Sequence, residues 1–294
     1  MAQYSGEYLT TKEVADLLRI KERKVYDLAA SGDIPCTRAL GKLLFQRTAL
    51  DAWLARHGSG EAGAPTVFPG VFLGSHDPLL EWCLRESGSG VATYFDGSLD
   101  GLDRFANAEG IATGLHIFDR DSQEWNVAAV KARFPAKPVV LVEWAWRERG
   151  LIVQPGNPRK INKVGDLRGL RVVPRQQQAG SQVLLDYLLG EADLKPDAVE
   201  LIHAARTETD AALAVLEDQA DAAFGLLAVA KQYRLDFVPV VRERFDLLVW
   251  RSEWFEAPFQ SFLALCRSSA FEERVTSLEG YDVSGLGRVH FNGR

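Results

Sequence analysis

The sequence is poor in the features that mark several protein classes. Its three cysteines, Cys36, Cys83 and Cys266, are far apart, odd in number and free of metal-ligand spacing. That excludes a disulfide framework or a zinc site as the basis of the fold and leaves idle or buried thiols. No apolar run approaches the roughly 20 residues that cross a bilayer, and the opening MAQYSGEYLTTKEVADLL lacks the basic and apolar regions of a secretory signal. A cytoplasmic location is expected. There is no self-similar period of about 20–50 residues, and no heptad run follows Trp53. Also absent are a G-x-S-x-G elbow, a P-loop, an H-E-x-x-H helix and a Cys-x-x-Cys pair. No catalytic residue, metal or cofactor is therefore assigned, and an enzyme is not expected.

What remains is an ordinary globular composition, 47% hydrophobic and 25% charged over 294 residues, a length that suits two domains. The net charge of −6 would count against nucleic acid if it were evenly spread. It is not. Residues 1–57 carry nine Lys or Arg against seven Asp or Glu, a balance of +2, and the remainder carries −8. Between the two lies GSGEAGAPT (58–66), which has nothing to bury and reads as a flexible connector. The expected domains are thus 1–57 and 67–294.

In the first segment, Thr10-Thr11-Lys12-Glu13 has capping-box spacing from one threonine or the other, and Val14, Leu17 and Leu18 follow on one helical face. After a polar break, Val25, Leu28 and Ala29 mark a second short helix that stops at Gly32. Two short helices joined tightly form a helix-turn-helix, whose second helix enters the major groove by its N-terminal residues. Residues 34–46 read as two strands around Leu40-Gly41-Lys42, a wing, and Thr48 opens a third helix with Leu50, Trp53 and Leu54 inward. This segment resembles the winged helix-turn-helix of the excisionase and MerR-related family over nearly its whole length. The resemblance places Arg23, Lys24 and Tyr26 on the recognition helix and Arg38, Lys42 and Arg47 in or beside the wing. With Thr11 and Lys21 these are the candidate contacts to double-stranded DNA. So few cations on one module imply a homodimer on a two-fold symmetric operator.

From Val67 onward, short β-rich runs alternate with helical ones, an α/β pattern. Helices are expected at 78–85, 99–108, 127–134 and 180–189. Strands are expected at VVLVEWAW and GLIVQP among others, with AAFGLL and LDFVPVV closing the series. Such folds bind ligands beyond the carboxyl ends of their strands, where helix N-termini attract anions. Three strand-to-helix junctions share one design: Gly74-Ser75-His76-Asp77, Asp96-Gly97-Ser98-Leu99, and Arg175-Gln176-Gln177-Gln178-Ala179-Gly180-Ser181. Each sets a small residue and a hydroxyl against a helix start. Plain capping explains any one of them, and Asp77 reads as a cap. Three together point to an anion or a polarised oxygen.

The order of these motifs resembles the type II periplasmic-binding-protein-like domain that is found fused to helix-turn-helix modules, over residues 67 to about 291. Its relatives in ligand terms are molybdate and tungstate binders. The resemblance implies a two-lobed domain closing on an oxyanion, with Ser75, His76, Ser98 and His116 from the first lobe and Arg175, Gln176, Gly180 and Ser181 from the second. Trp125-Asn126 falls where the family has an aromatic–Asn pair. The chain departs from the family's Arg-Gln-x-Gly-Ser-Gly-Thr: Gln178 replaces a Gly and Ala179 a Ser, which admits formate, a sulfonate or another carboxylate as alternative effectors. The expected function is a one-component transcriptional regulator sensing a small anion. Two other readings share the architecture: an architectural DNA binder with a ligand-silent dimerisation domain, and an enzyme on the same two-lobed fold.

Overall fold

A computed structural model of the chain describes residues 8–39, 41–57 and 68–293. It falls into two compact units, Met1–Val67 and Phe68–Arg294. The expected connector 58–66 and the hairpin tip at Leu40 lie outside the described residues.

The first unit opens with β1 (Tyr8–Thr10), a strand with no counterpart in the sequence expectation, which pairs antiparallel with β3. Then come α1 (Thr11–Leu18), α2 (Glu22–Ser31), β2 (Thr37–Ala39), β3 (Lys42–Gln46) and α3 (Arg47–His57). Thr10 is the residue that caps α1: its hydroxyl accepts from Glu13 N–H while the Glu13 carboxylate accepts from Thr10 N–H. Arg19 ends α1 and Gly32 ends α2, both in the left-handed conformation. Val14, Val25, Phe45 and Leu50 are fully buried and hold helices and sheet together. Leu54, expected inward, is 37% exposed, while Trp53 is half-buried.

The second unit begins with β4 (Val71–Gly74), α4 (Pro78–Glu86), β5 (Ala92–Phe95), α5 (Ser98–Ala106) and β6 (Ala112–Leu115). A short ribbon, β7 (Phe118–Asp119) with β8 (Glu124–Trp125), leads to α6 (Val127–Arg133). The long strand β9 (Val139–Val153) then carries the chain into a second lobe built of β10 (Arg171–Val173), α7 (Gly180–Glu191), β11 (Glu200–Leu201), α8 (Glu208–Leu216), β12 (Ala222–Leu226) and α9 (Leu227–Gln232). A second long strand, β13 (Asp236–Trp250), returns to the first lobe, where α10 (Ala257–Leu265), α11 (Ser269–Thr276), β14 (Tyr281–Asp282) and β15 (Val289–Asn292) complete the unit.

Apart from the β7–β8 ribbon, the strands of this unit form one sheet in the order β11-β10-β12-β9-β13-β6-β4-β5, with β14 and β15 also pairing with β9. It is parallel at both ends and antiparallel along the central β9–β13 pair. The first half of β13 pairs with the second-lobe end of β9, and its second half pairs with β6 in the first lobe, with a register shift between Phe245 and Asp246. The two central strands are therefore the crossover between lobes, each lobe having its own apolar cores.

This corrects the expectation of two strands at VVLVEWAW and GLIVQP. They are one strand, because Arg147 and Arg149, which interrupt the apolar pattern, are fully buried against carboxylates rather than turned to water in a loop. The expected end of the series at LDFVPVV likewise falls mid-strand.

Candidate functional site

The three junctions singled out in the sequence meet where the lobes face each other. β4 ends in Gly74 at φ +101, packed so tightly that a Cβ there would lie 2.3 Å from Gly114 O, and only glycine fits. In the turn this permits, Ser75 N–H donates to Gly114 O at 2.9 Å, and the Ser75 and Ser98 hydroxyls share a hydrogen bond at 2.7 Å. Ser98, the first residue of α5, also accepts His116 N–H at 3.1 Å. From the other lobe, Gly180 at the start of α7 comes so close that a Cβ would stand 3.0 Å from Ser98 Oγ and 2.5 Å from His116 O. Ser75, Ser98, His116 and Ser181 are all buried, and Ser181 Oγ has no hydrogen-bond partner.

The lobes also touch directly. Leu99 N–H, in the first turn of α5, donates to Gln178 O at 3.1 Å, and Gln176 Nε2 donates to Asp96 Oδ1 at 3.2 Å. Gln178 thus supplies a latch through its backbone carbonyl. Gln176 Oε1 is buried without a partner. His76 pairs by Nε2 with Glu81 at 3.1 Å, and its Nδ1 is buried without a partner.

Beneath these junctions lies a network that the sequence reasoning missed. Across β9 and β13 the charges alternate. Asp77, the N-cap of α4, binds Arg147 at 2.7 Å. Arg147 binds Glu243 at 2.5 Å, and Glu243 binds Arg149 at 2.8 Å. Arg149 binds Glu208 at 2.8 Å, and Glu208 lies 3.1 Å from Arg175. Trp144 Nε1 and the Tyr281 hydroxyl add donors to Asp77, and His116 Nδ1 meets Glu243 at 3.0 Å. Burial alone would raise Glu243, but Arg147 and Arg149 hold it well below the usual carboxylate range. Burial opposes Glu208 in the same way, yet Arg149 and Arg175 bring it down to about 2. Burial lowers the pKa of His116, with Glu243 acting in the opposite sense. Three guanidinium groups thus face three carboxylates. The signal for this in the sequence was the pair of Arg-Glu-Arg triplets, 147–149 and 242–244, inside apolar runs.

Arg175 was expected to meet the ligand's charge. In this structure its Nε donates to Ala205 O, its Nη2 to Arg206 O, and its Nη1 lies against Glu208. The guanidinium braces the turn into α8, and burial lowers its pKa. The donors left at the lobe junction are neutral: hydroxyls and helix N-terminal amides. Trp125 is buried in an apolar cluster with second-lobe residues such as Val172 and Leu184, and Asn126 ties Ile117 N–H (2.6 Å) to Asp246 (2.8 Å).

In the first unit Lys21, Arg23, Lys24, Tyr26, Arg38 and Lys42 are exposed. Tyr26 and Glu22 share a groove with Arg38 and Lys42 of the β2–β3 hairpin. Lys21 is the N-cap of α2 and makes no side-chain cap. Thr11 is only 8% exposed, and Arg47 is paired with Asp51 at 3.2 Å.

The PBP superfamily domain matches residues 82–267, more than half of the chain. The chain belongs to the PBP superfamily. A helix-turn-helix domain family matches residues 8–58. The uncharacterised protein YvgK of Bacillus subtilis (strain 168) is 25% identical over 95% of this chain and 96% of its own length, a similarity that runs through both units. Among solved structures, one named as a phosphate ABC transporter substrate-binding protein from Clostridium perfringens, with bound phosphate, superposes at a TM-score of 0.52. It is 13% identical and covers 73% of this chain and 99% of that one, a likeness of fold. The two lobes described above are thus those of the PBP fold, with β9 and β13 as its crossover strands.

Proposed function

We propose that the protein is a one-component DNA-binding regulator in which residues 1–57 read a double-stranded operator and residues 67–294 sense a small anion between the lobes. The observation that carries the reading is the convergence of Ser75 and Ser98 from one lobe with Gly180 and Ser181 from the other, at the starts of α5 and α7. Neither helix has a side-chain cap, so the amides at their starts that are not already taken, as those of Leu99 and Gln182 are, add donors and a favourable dipole to the hydroxyls.

Because the neighbouring guanidinium groups are matched by carboxylates, the anion is held by dipoles rather than by a free cation. A compact oxyanion such as molybdate or tungstate suits that donor set, accepting at every oxygen. One observation favours a second class: Gln176 Oε1 is a buried acceptor without a donor, and its amide orientation is fixed by two acceptors facing Nε2. An effector carrying a proton, such as hydrogen phosphate or a hydroxycarboxylate, would satisfy it.

Effector binding shifts the lobes toward closure and thereby sets operator affinity, and a homodimer supplies the grip that one small reader lacks. Thermal denaturation against molybdate, tungstate, sulfate, phosphate, formate and a sulfonate tests the proposal. At 100 times its dissociation constant the effector should add about 2.7 kcal/mol of stability. A flat response across the panel would favour a ligand-silent dimerisation domain.

A further inference from the structure

The exposed acidic residue on the recognition helix carries an inference that rests on the DNA-binding reading and goes beyond it. We infer that Asp27 reads base identity, accepting a hydrogen bond from a cytosine N4 amino group, with Arg23 one turn earlier on a neighbouring guanine.

The ridge follows from helix geometry. α2 buries Val25 fully and turns Leu28 and Ala29 toward the core. At 3.6 residues per turn, Arg23 and Asp27 fall on the opposite side, one above the other. Both are exposed, and neither side chain makes a hydrogen bond or an ion pair among the described residues, Ser31 Oγ donating only to the Asp27 backbone carbonyl. The contrast with α3 is informative. There the same order and spacing, Arg47 followed by Asp51, closes into an ion pair at 3.2 Å. On α2 both groups remain available to a partner. Glu22 and Tyr26 lie off this ridge, toward the groove shared with Arg38 and Lys42.

A carboxylate on a surface that docks on a polyanion is repelled by every phosphate it approaches. It is tolerated where it faces a base-edge donor instead, and in the major groove an Asp or Glu side chain pairs with cytosine N4. The start of α2 fixes the approach, because it has no side-chain cap and the amides of Glu22 and Arg23, unlike that of Lys24, which donates to Lys21 O, are left to meet a phosphate. With the N-terminal turn anchored there, Arg23 and Asp27 stand over adjacent base steps.

The experiment is selection of bound sites from a random duplex pool with the full chain, followed by titrations of the wild type, Asp27→Ala and Asp27→Asn. We expect the wild type to enrich a half-site with one guanine and one cytosine, and to lose about tenfold in affinity when that cytosine is changed. Asp27→Ala should bind all four bases at that position within about twofold and bind random duplex more tightly, since a repelling charge is gone. Asp27→Asn should move the preference toward adenine. Asp27→Ala keeping the wild-type discrimination at every position would overturn the inference while leaving the DNA-binding reading intact. Failure of the wild type to enrich any sequence would overturn both.

Discussion

Glu243 stands directly opposite Arg147 in the β9–β13 register, and its carboxylate receives both Arg147 at 2.5 Å and Arg149 at 2.8 Å, all three side chains being fully buried. Glu243 is thus the midpoint of a charged chain that starts at Asp77 in one lobe and ends at Glu208 and Arg175 in the other. Buried ion pairs are seldom better than apolar packing, since desolvation offsets their attraction. What this chain provides is a fixed geometry where both crossover strands pass between the lobes.

Removing its midpoint should therefore be costly. Glu243→Ala leaves two guanidinium groups without their shared partner in a site that water does not reach. We expect a loss of about 3–5 kcal/mol in chemical denaturation of the full chain, a cost typical of breaking a buried pair. A loss below about 1 kcal/mol would show that the chain is not tightly coupled.

Glu208 gives the chain a pH signature. Its carboxyl is depressed from the ordinary 4.5 to about 2 by Arg149 and Arg175, against the effect of burial. A depressed carboxylate contributes stability that is present above its unfolded pKa and is lost as pH falls through its folded one. Stability should hold above about pH 5 and decline between about pH 4.5 and 2. Glu208→Gln should flatten that part of the profile. An unchanged acid limb in the variant would place the titrating group elsewhere.

Much of this arrangement was legible in the sequence, for a definite reason. The junctions at Ser75, Ser98 and Gly180 combine turn-forming and capping residues with flanking periodic segments, all local signals. The helix-turn-helix was readable in the same way from Val14, Val25 and Gly32. The long strands were not, because Arg147, Arg149 and Glu243 look like solvent residues until their partners, up to 127 residues away, are known. The bracing contacts of Arg175 were hidden for the same cause: its acceptors at Ala205, Arg206 and Glu208 are distant in sequence and close in space.

That distinction separates two variants at the site. Ser98→Ala removes a hydroxyl that bridges Ser75 and His116 N–H, yet leaves the charged chain whole. It should reduce the effector-induced rise in melting temperature with a modest change in the ligand-free value. Arg175→Lys cannot reproduce three guanidinium contacts. It should lower the ligand-free melting temperature while keeping most of the effector-induced rise. The reverse pattern would return Arg175 to direct contact with the effector.

The approach of the lobes can be tested at a single atom. Gly180 belongs to the second lobe and His116 to the first, and a Cβ on Gly180 would lie 2.5 Å from the His116 carbonyl oxygen and 3.0 Å from Ser98 Oγ. Real Cβ atoms do not come so near a backbone oxygen, so in Gly180→Ala the lobes must stand further apart or the start of α7 must shift. Alanine is otherwise acceptable there, because Gly180 is not among the residues with positive φ and alanine favours a helix. We expect a folded protein with near wild-type DNA affinity that no longer responds to the effector, since the closed state that binds it better is out of reach. Thermal shift and operator titration read the two properties independently. A full effector response in Gly180→Ala would mean that the lobes do not need this closeness to bind.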